Sequence, residues 1–438
     1  MSLHSRVLER LAPWRDAPAW RIAFSGGLDS TVLLHLLAGL AQREALPPIS
    51  AIHVHHGLQA AADAWPEHCR RVCDALGVPL RVEAVVVPPG ASLERAAREA
   101  RYAAFVAALA PGELLLAAQH RDDQAETLLF RLLRGGGVRG LAGMPASRAL
   151  GRGHLLRPLL DCPRAELEAY AAEHRLSWVE DPSNADGRFA RNYLRQRVMP
   201  LLRTRWPQAE RSLARSARQL GEAAQLLDEL AQLDLQAAEA PGPLAWLPLP
   251  SLALPPLCAL SSARQRNALR HWLRALTPMP DAEHWAGWQG LREAAGDAAP
   301  VWRLATGELH RADQRLWWLA GDWLLAPVCP LLTLEADKAL ALPGNGSVRI
   351  EGCLPAQGEW RLAYRQGGER MALPGRGHRD LKRLLNERRV PAFVRGRLPL
   401  LLCDGEVRAV ANLPGLDGAG DGSWRLGWQP PVCDPGLS

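Results

Sequence analysis

The stretch Ala23-Phe24-Ser25-Gly26-Gly27-Leu28-Asp29-Ser30-Thr31 joins a short apolar run to an apolar helix, and its chemistry decides the fold. Before it, Arg21-Ile22-Ala23-Phe24 has the character of a buried strand. After it, Val32, Leu33, Leu36, Leu37 and Leu40 mark the apolar face of a helix that starts at Asp29 or Ser30. Adjacent glycines let the backbone approach a ligand closely. The hydroxyls of Ser25 and Ser30 and the free N–H groups of the helix start then face an anion. Strand, Gly-rich turn and helix in this order predict a phosphate cradle. It is neither a Walker loop, which ends Gly-Lys-Ser/Thr, nor a G-x-G-x-x-G dinucleotide turn. Asp29 would repel phosphate unless a cation lies between them. A turn that binds nothing is the plainer reading, and the complete Ser-Gly-Gly-x-Asp-Ser hexapeptide in the required context argues against it.

Outward from this loop the chain alternates strands and helices. Ile49–Val54 reads as a second strand and ends in His55-His56-Gly57-Leu58. In a strand, His53 and His55 share a face while His56 points away, and no acidic residue is near in sequence, so a polar strand end lining a nucleotide site is favoured over a metal cage. Trp65–Leu76 reads as a helix and Leu80–Val87 as a third strand. The next helix carries Ala97-Arg98-Glu99-Ala100-Arg101-Tyr102, with Arg98 and Arg101 on one face, a pattern that a solvated charged face also produces.

Glu113–Ala118 is a fourth buried strand and runs into Gln119-His120-Arg121-Asp122-Asp123-Gln124-Ala125-Glu126-Thr127. The i, i+4 and i, i+3 spacings bring Asp122, Asp123 and Glu126 together at a helix N-terminus. Acidic residues favour that position anyway. The cluster, however, follows the carboxyl end of a strand, where open α/β sheets bind ligands, so it is a candidate for holding magnesium or an amine. The alternation predicts an α/β fold with a doubly wound parallel sheet.

Composition sets the bounds. At 438 residues, 48% apolar and 22% charged, the chain predicts two or three globular domains. Its start is too polar for a signal peptide and its most apolar window is broken by Asp322, Pro327 and Pro330, so a cytoplasmic protein is expected. Net charge is +6, but only Lys338 and Lys382 are lysines among 52 basic residues, so the Arg content is a bias of the whole chain and only local clustering carries weight. Eight cysteines include no C-x-x-C, which signals neither a zinc ribbon nor an iron–sulfur site.

Two regions are locally basic. Arg188 to Arg218 holds nine arginines against the single acid Glu210, which reads as a phosphate-contacting patch. Arg361 to Arg397 holds eleven Arg or Lys against three acids, and within it Gly377–Leu385 looks like a basic amphipathic helix. Between them, Arg211–Ala231 has a Leu/Ala seam that fits a structural connector helix. The expected division is a phosphate-binding α/β domain over 1–210, a helical middle domain over 211–330, and a small basic α+β domain over 345–430.

Ser25-Gly26-Gly27-Leu28-Asp29-Ser30 resembles the loop of the PP-loop ATP pyrophosphatases, which cleave ATP to AMP and pyrophosphate. With it stand His53-Val54-x-His56-Gly57-Leu58, Ala97-Arg98-x-x-Arg101-Tyr102, His120-x-Asp122-Asp123-Gln124-x-Glu126-Thr127, Arg157-Pro158-Leu159-Leu160, Glu180-Asp181-x-Ser183-Asn184 and Arg191-Asn192-x-Leu194-Arg195. In this order the set resembles the tRNA(Ile)-lysidine synthases over essentially the whole chain. The family usually has His at Gln119 and often Asn at His55 and Arg at Gln59, so no role is carried to those positions. The resemblance implies a ligase that uses ATP and Mg2+ to adenylate the wobble cytidine of the isoleucine tRNA with a CAU anticodon, then adds free L-lysine. It implies that Ser25, Gly26, Gly27, Leu28, Asp29 and Ser30 hold the nucleotide, with Asp29 and Asp122 as metal ligands. Asp122, Asp123 and Glu126 would hold lysine or metal or assist deprotonation, and Arg98 and Arg101 would steer phosphate or base. A homodimer is allowed and no membrane is implied. A tRNA thiolase of the same superfamily and a non-catalytic RNA-binding protein are the alternatives.

Overall fold

The computed structural model describes residues 2–88, 93–280, 283–295, 298–328, 338–373, 377–418 and 424–434. The chain divides into two compact units, 1–226 and 227–438.

The first unit opens with α1 (Leu3–Leu11), β1 (Trp20–Ala23), α2 (Leu28–Ala41), β2 (Ile49–His55), α3 (Trp65–Leu76) and β3 (Leu80–Ala84). It continues with α4 (Leu93–Ala108), β4 (Leu114–Leu116), α5 (Arg121–Leu132), α6 (Val138–Leu141), β5 (Ser147–Leu150), β6 (Gly153–Leu156) and α7 (Arg164–Glu173). The strands form one sheet in the order β3-β2-β1-β4-β6-β5. All neighbours are parallel except the β5–β6 edge pair. Strand order reverses between β1 and β4, so the crevice outside their carboxyl ends is the place where such sheets take ligands. The two chemical clusters read from the sequence leave the sheet at this point, one after β1 and one after β4.

α2 is the centre of the core. Val32, Leu33, Leu34, Leu36 and Leu37 are fully buried against Trp20, Ile22, Phe24 and Leu116. A helix apolar nearly all round must be covered on every side, and that fixes the loop at its N-terminus. After α7 come a short helix α8 (Ala190–Tyr193), a π-helical turn (Leu194–Val198) and α9 (Met199–Arg205).

The connector helix is α10, Ala209–Gln236, longer than its seam indicates and crossing the division between units. In the second unit α11 (Ser262–Leu273) is accompanied by a four-stranded antiparallel sheet, so the Trp-rich segments are strands. Trp302, Trp317 and Trp318 from this sheet are buried. The last part holds a three-stranded and a five-stranded sheet. The segment expected as one basic helix is instead the strand Gly377–Asp380 followed by the helix Leu381–Glu387, capped where Asp380 Oδ1 accepts the Arg383 N–H at 3.1 Å. Asp380, an N-cap residue, breaks this short basic run in its middle, where no apolar period is long enough to show the change from strand to helix.

Candidate active site

The Gly-rich loop leaves β1 at Phe24. Gly26 has φ +84°, a left-handed conformation, and a Cβ there would lie 3.1 Å from both Cys69 Sγ and Val179 Cγ2. Glycine is therefore required for conformation and for space. The serines interlock: Ser25 Oγ is 3.0 Å from Ser30 Oγ, Ser30 Oγ donates to the Gly27 carbonyl at 3.0 Å, and the Gly27 N–H donates to Ser25 Oγ at 3.3 Å. Gly27 is the N-cap of α2 with no side-chain cap, which leaves the helix start open to an anion. From outside, the Val179 N–H donates to the Gly26 carbonyl at 2.9 Å. On β2, buried His53 holds Nδ1 2.9 Å from the Phe24 carbonyl, tying the two strand ends together. Burial keeps His53 below its ordinary value, so it sits there as a neutral donor.

α5 begins with a reciprocal cap. The His120 N–H donates to Asp123 Oδ2 at 3.1 Å and the Asp123 N–H to His120 Nδ1 at 3.5 Å. His120 is 1% exposed and stands between the two motifs. Its Nε2 is 3.6 Å from Asp29 Oδ2 and 3.5 Å from Asp123 Oδ2, and its Nδ1 is 3.8 Å from Asp122 Oδ2. Burial works to lower its pKa, but the close approach of Asp29 and the charges of Asp123, Asp29 and Asp122 hold it above 6.5. The two clusters thus meet on one imidazole.

The carboxylates are then met by arginines that the sequence reads as part of a phosphate-contacting patch. Arg195 reaches Glu126 Oε1 at 2.7 Å and Oε2 at 2.9 Å, and Asp123 Oδ1 at 2.9 Å. Arg191 reaches Glu126 Oε2 and Asp123 Oδ1, each at 3.2 Å. Burial raises the Asp123 carboxyl, but His120, Arg191 and Arg195 outweigh it and hold it below the usual range. Asp122 accepts the Arg164 N–H at 3.0 Å and Arg203 at 3.3 Å. Five of the nine arginines from 188 to 218 (Arg188, Arg191, Arg195, Arg203 and Arg218) are in ion pairs, so the patch expected to face phosphate is in part an internal counter-charge. A cavity of about 190 Å³ opens here, lined by Asp122, Glu126, Glu168, Glu210, Arg164, Arg195, Arg203 and Met199.

Arg98 and Arg101 lie on α4 and do not pair with these carboxylates. Arg98 Cζ is 4.8 Å from the centre of the Tyr102 ring, with Arg148 over the same ring at 5.1 Å. Arg101 is exposed on α4. Gln119 accepts Arg157 Nε at 3.1 Å and Gln59 donates to Asp181 Oδ1 at 2.8 Å, so two of the departures from the family pattern carry structural bonds. Burial pushes the Cys69 and Cys73 thiols up to about 12, which makes them poor sulfur carriers.

Residues 2–202 match the PP-loop domain family, 252–317 the TilS substrate binding domain and 360–428 the TilS substrate C-terminal domain. The chain is 63% identical to the tRNA(Ile)-lysidine synthase of Pseudomonas fluorescens over 437 residues, covering 100% of this chain and 99% of that one. The chain belongs to the tRNA(Ile)-lysidine synthase family. The Pseudomonas aeruginosa member is 62% identical over 439 residues, with 100% and 99% covered, and that of Alkalilimnicola ehrlichii 47% identical over 422 residues, with 93% and 92% covered. Family membership makes the chain an ATP-using PP-loop enzyme with a tRNA substrate.

Proposed function

We propose that this chain makes lysidine in the isoleucine tRNA whose anticodon is CAU. What supports the reading is the meeting of the Gly-rich loop and the α5 carboxylates on His120, across the switch point of the sheet. Two steps share one site. The 2-carbonyl oxygen of the wobble cytidine attacks the α-phosphorus of ATP, and the bond to pyrophosphate breaks. The ε-amine of free L-lysine then attacks C2, the C2–O bond breaks, AMP leaves and the amine gives up a proton.

In this reading Ser25, Gly26, Gly27, Leu28 and Ser30 cradle the pyrophosphate. Asp29 is suited to a cation because its buried Oδ1 has no hydrogen-bond partner. Both Asp122 oxygens already have donors, so Asp122 joins as a metal ligand only where Arg203 gives way. Bound Mg2+ would offset the charge of the phosphates against Asp29. Lysine fits the cavity beside Asp122: its carboxylate meets Arg164 or Arg203 and its ammonium groups meet Glu168, Glu210 and Asp122. Asp123, ionised and arginine-bound, is a weak proton acceptor, so it and Glu126 fix the arginines and the local field. Arg98 and Arg101 supply positive charge for phosphate or base. A cytoplasmic setting and the three-domain division at 1–210, 211–330 and 345–430 belong to the same proposal. Among the described residues no helix is long and apolar enough to cross a membrane.

Labelled lysine incubated with the full chain, ATP and unmodified isoleucine tRNA should enter that tRNA and leave methionine tRNA unlabelled. Equal labelling of both, or labelling of neither, overturns the assignment.

A further inference from the structure

The side of α8, the π-turn and α9 that faces away from the carboxylates has no part in the steps above. Among the described residues the exposed Phe, Tyr and Trp side chains are Phe189, Tyr193 and Trp206, at 37%, 54% and 58%. All three fall within this one segment. Phe189, Tyr193, Arg197, Leu201 and Arg205 succeed one another at i, i+4, so each lies beside the next along the helices, and all five are exposed. Arg205 extends the strip by placing its guanidinium 5.9 Å from the Trp206 ring. On the opposite side of the same turns Arg191 and Arg195 hold Asp123 and Glu126, while Leu194 and Met199 are buried. Arg197, Arg205, Arg211 and Arg215 make no ion pair among the described residues, unlike their neighbours on the inner side.

Exposed rings interleaved with uncompensated guanidinium groups fit one partner chemistry best. Unpaired nucleotides offer flat base faces to the rings and phosphates to the arginines. A duplex hides its base faces and would leave the rings idle. Charge complementarity and continuity with the reaction site, one turn of helix away, both point the same way. We infer that this strip binds the unpaired nucleotides flanking the target base, so that one pair of helices grips the RNA loop on its outer side and orders the carboxylates on its inner side. The inference rests on the proposed function for the identity of the RNA, but not for the chemistry of the surface.

The test uses the full chain with Tyr193→Ala and Trp206→Ala, singly and together, and Arg197→Gln with Arg205→Gln. Binding of a short single-stranded RNA, a duplex RNA of equal charge, and ATP is measured, with sedimentation for oligomeric state. Each aromatic truncation should weaken single-strand binding about tenfold. Tyr193→Phe and Trp206→Phe should restore it, and ATP binding should hold throughout. The arginine pair should lower the salt slope of single-strand binding by about 1.4. Unchanged single-strand binding overturns the inference, as does equal loss for duplex and single strand. A shift in oligomeric state with RNA binding intact also overturns it and assigns the strip to a second copy. Loss of single-strand binding in a protein that transfers lysine to no tRNA would uphold the strip and sink the proposed function. Normal lysine transfer by the aromatic variants, with normal RNA affinity, would do the opposite.

Discussion

Arg195 closes on Glu126 through two parallel hydrogen bonds, Nε to Oε1 at 2.7 Å and Nη2 to Oε2 at 2.9 Å. The residues are far apart in sequence, and Glu126 is 3% exposed. Removing the arginine leaves a buried carboxylate with Arg191 alone. Arg195→Ala should therefore destabilise the first unit by about 2–3 kcal/mol, somewhat under the cost of a fully orphaned buried ion. Arg195→Lys should lose much of this too, because an ammonium cannot form the fork. Urea denaturation followed by signals from that unit checks both. An unchanged midpoint for Arg195→Ala would show the pair to be incidental.

Asp29→Ala should abolish conversion of ATP to AMP while tRNA affinity stays within about twofold, since one carboxylate near the loop adds little to a polyanion interface. AMP release and filter binding on the same preparation separate the two effects. Loss of tRNA binding with intact AMP formation would contradict the role given to Asp29.

Gly26 and Gly27 should respond differently to alanine. At Gly26 the φ of +84° and the contacts at 3.1 Å with Cys69 and Val179 predict a loss of about 1–3 kcal/mol. At Gly27 the nearest atom is 3.5 Å away and φ is ordinary, so stability should move by less than about 0.5 kcal/mol. Thermal unfolding of the two variants makes the comparison.

His120 gives the first unit a defined pH dependence. Its folded value is raised above 6.5, so the charged imidazole contributes fully below that pH and the contribution is lost as pH rises through the folded value. Denaturation midpoints should fall as pH rises above 6.5, and His120→Gln should flatten that decline. A decline that persists in the variant would place its origin elsewhere.

On the helix Leu381–Glu387, Lys382 and Arg383 are exposed while Leu381, Leu384 and Leu385 are buried. Replacing both cations with alanine should weaken tRNA binding and reduce its salt slope by about one for each phosphate left without its cation. AMP formation with a short RNA should be unaffected.

The loop and the α5 carboxylates were legible in the sequence because each is local: a hexapeptide between strand and helix, and i, i+3 or i+4 acids at a helix start. Fold class followed from the alternation around them. What joins them was not legible. The reversal of strand order between β1 and β4 is a property of topology, and it alone brings His120 to Asp29. The arginine excess from 188 to 218 misled for a related reason. A count of charges cannot tell an arginine facing solvent from one aimed at a carboxylate on another element. The i, i+4 spacing of Arg191 and Arg195 matches the reach between Asp123 and Glu126, but Arg211 and Arg215 share that spacing and make no ion pair among the described residues, so spacing does not separate the two kinds. Strand breaks inside basic runs, as at Asp380, stay hidden for want of a strong apolar period.

The hydrogen bond from the Val179 N–H to the Gly26 carbonyl is made by main chain on both sides. Side chains at 179 can therefore drift among apolar residues with the latch intact, whereas a proline there removes the donor outright. Mutational scanning should accordingly find position 179 tolerant in a way that looks like irrelevance, with one sharp exception. The conformation of the Gly-rich loop is thus held from another segment by a bond that side-chain truncation cannot reveal.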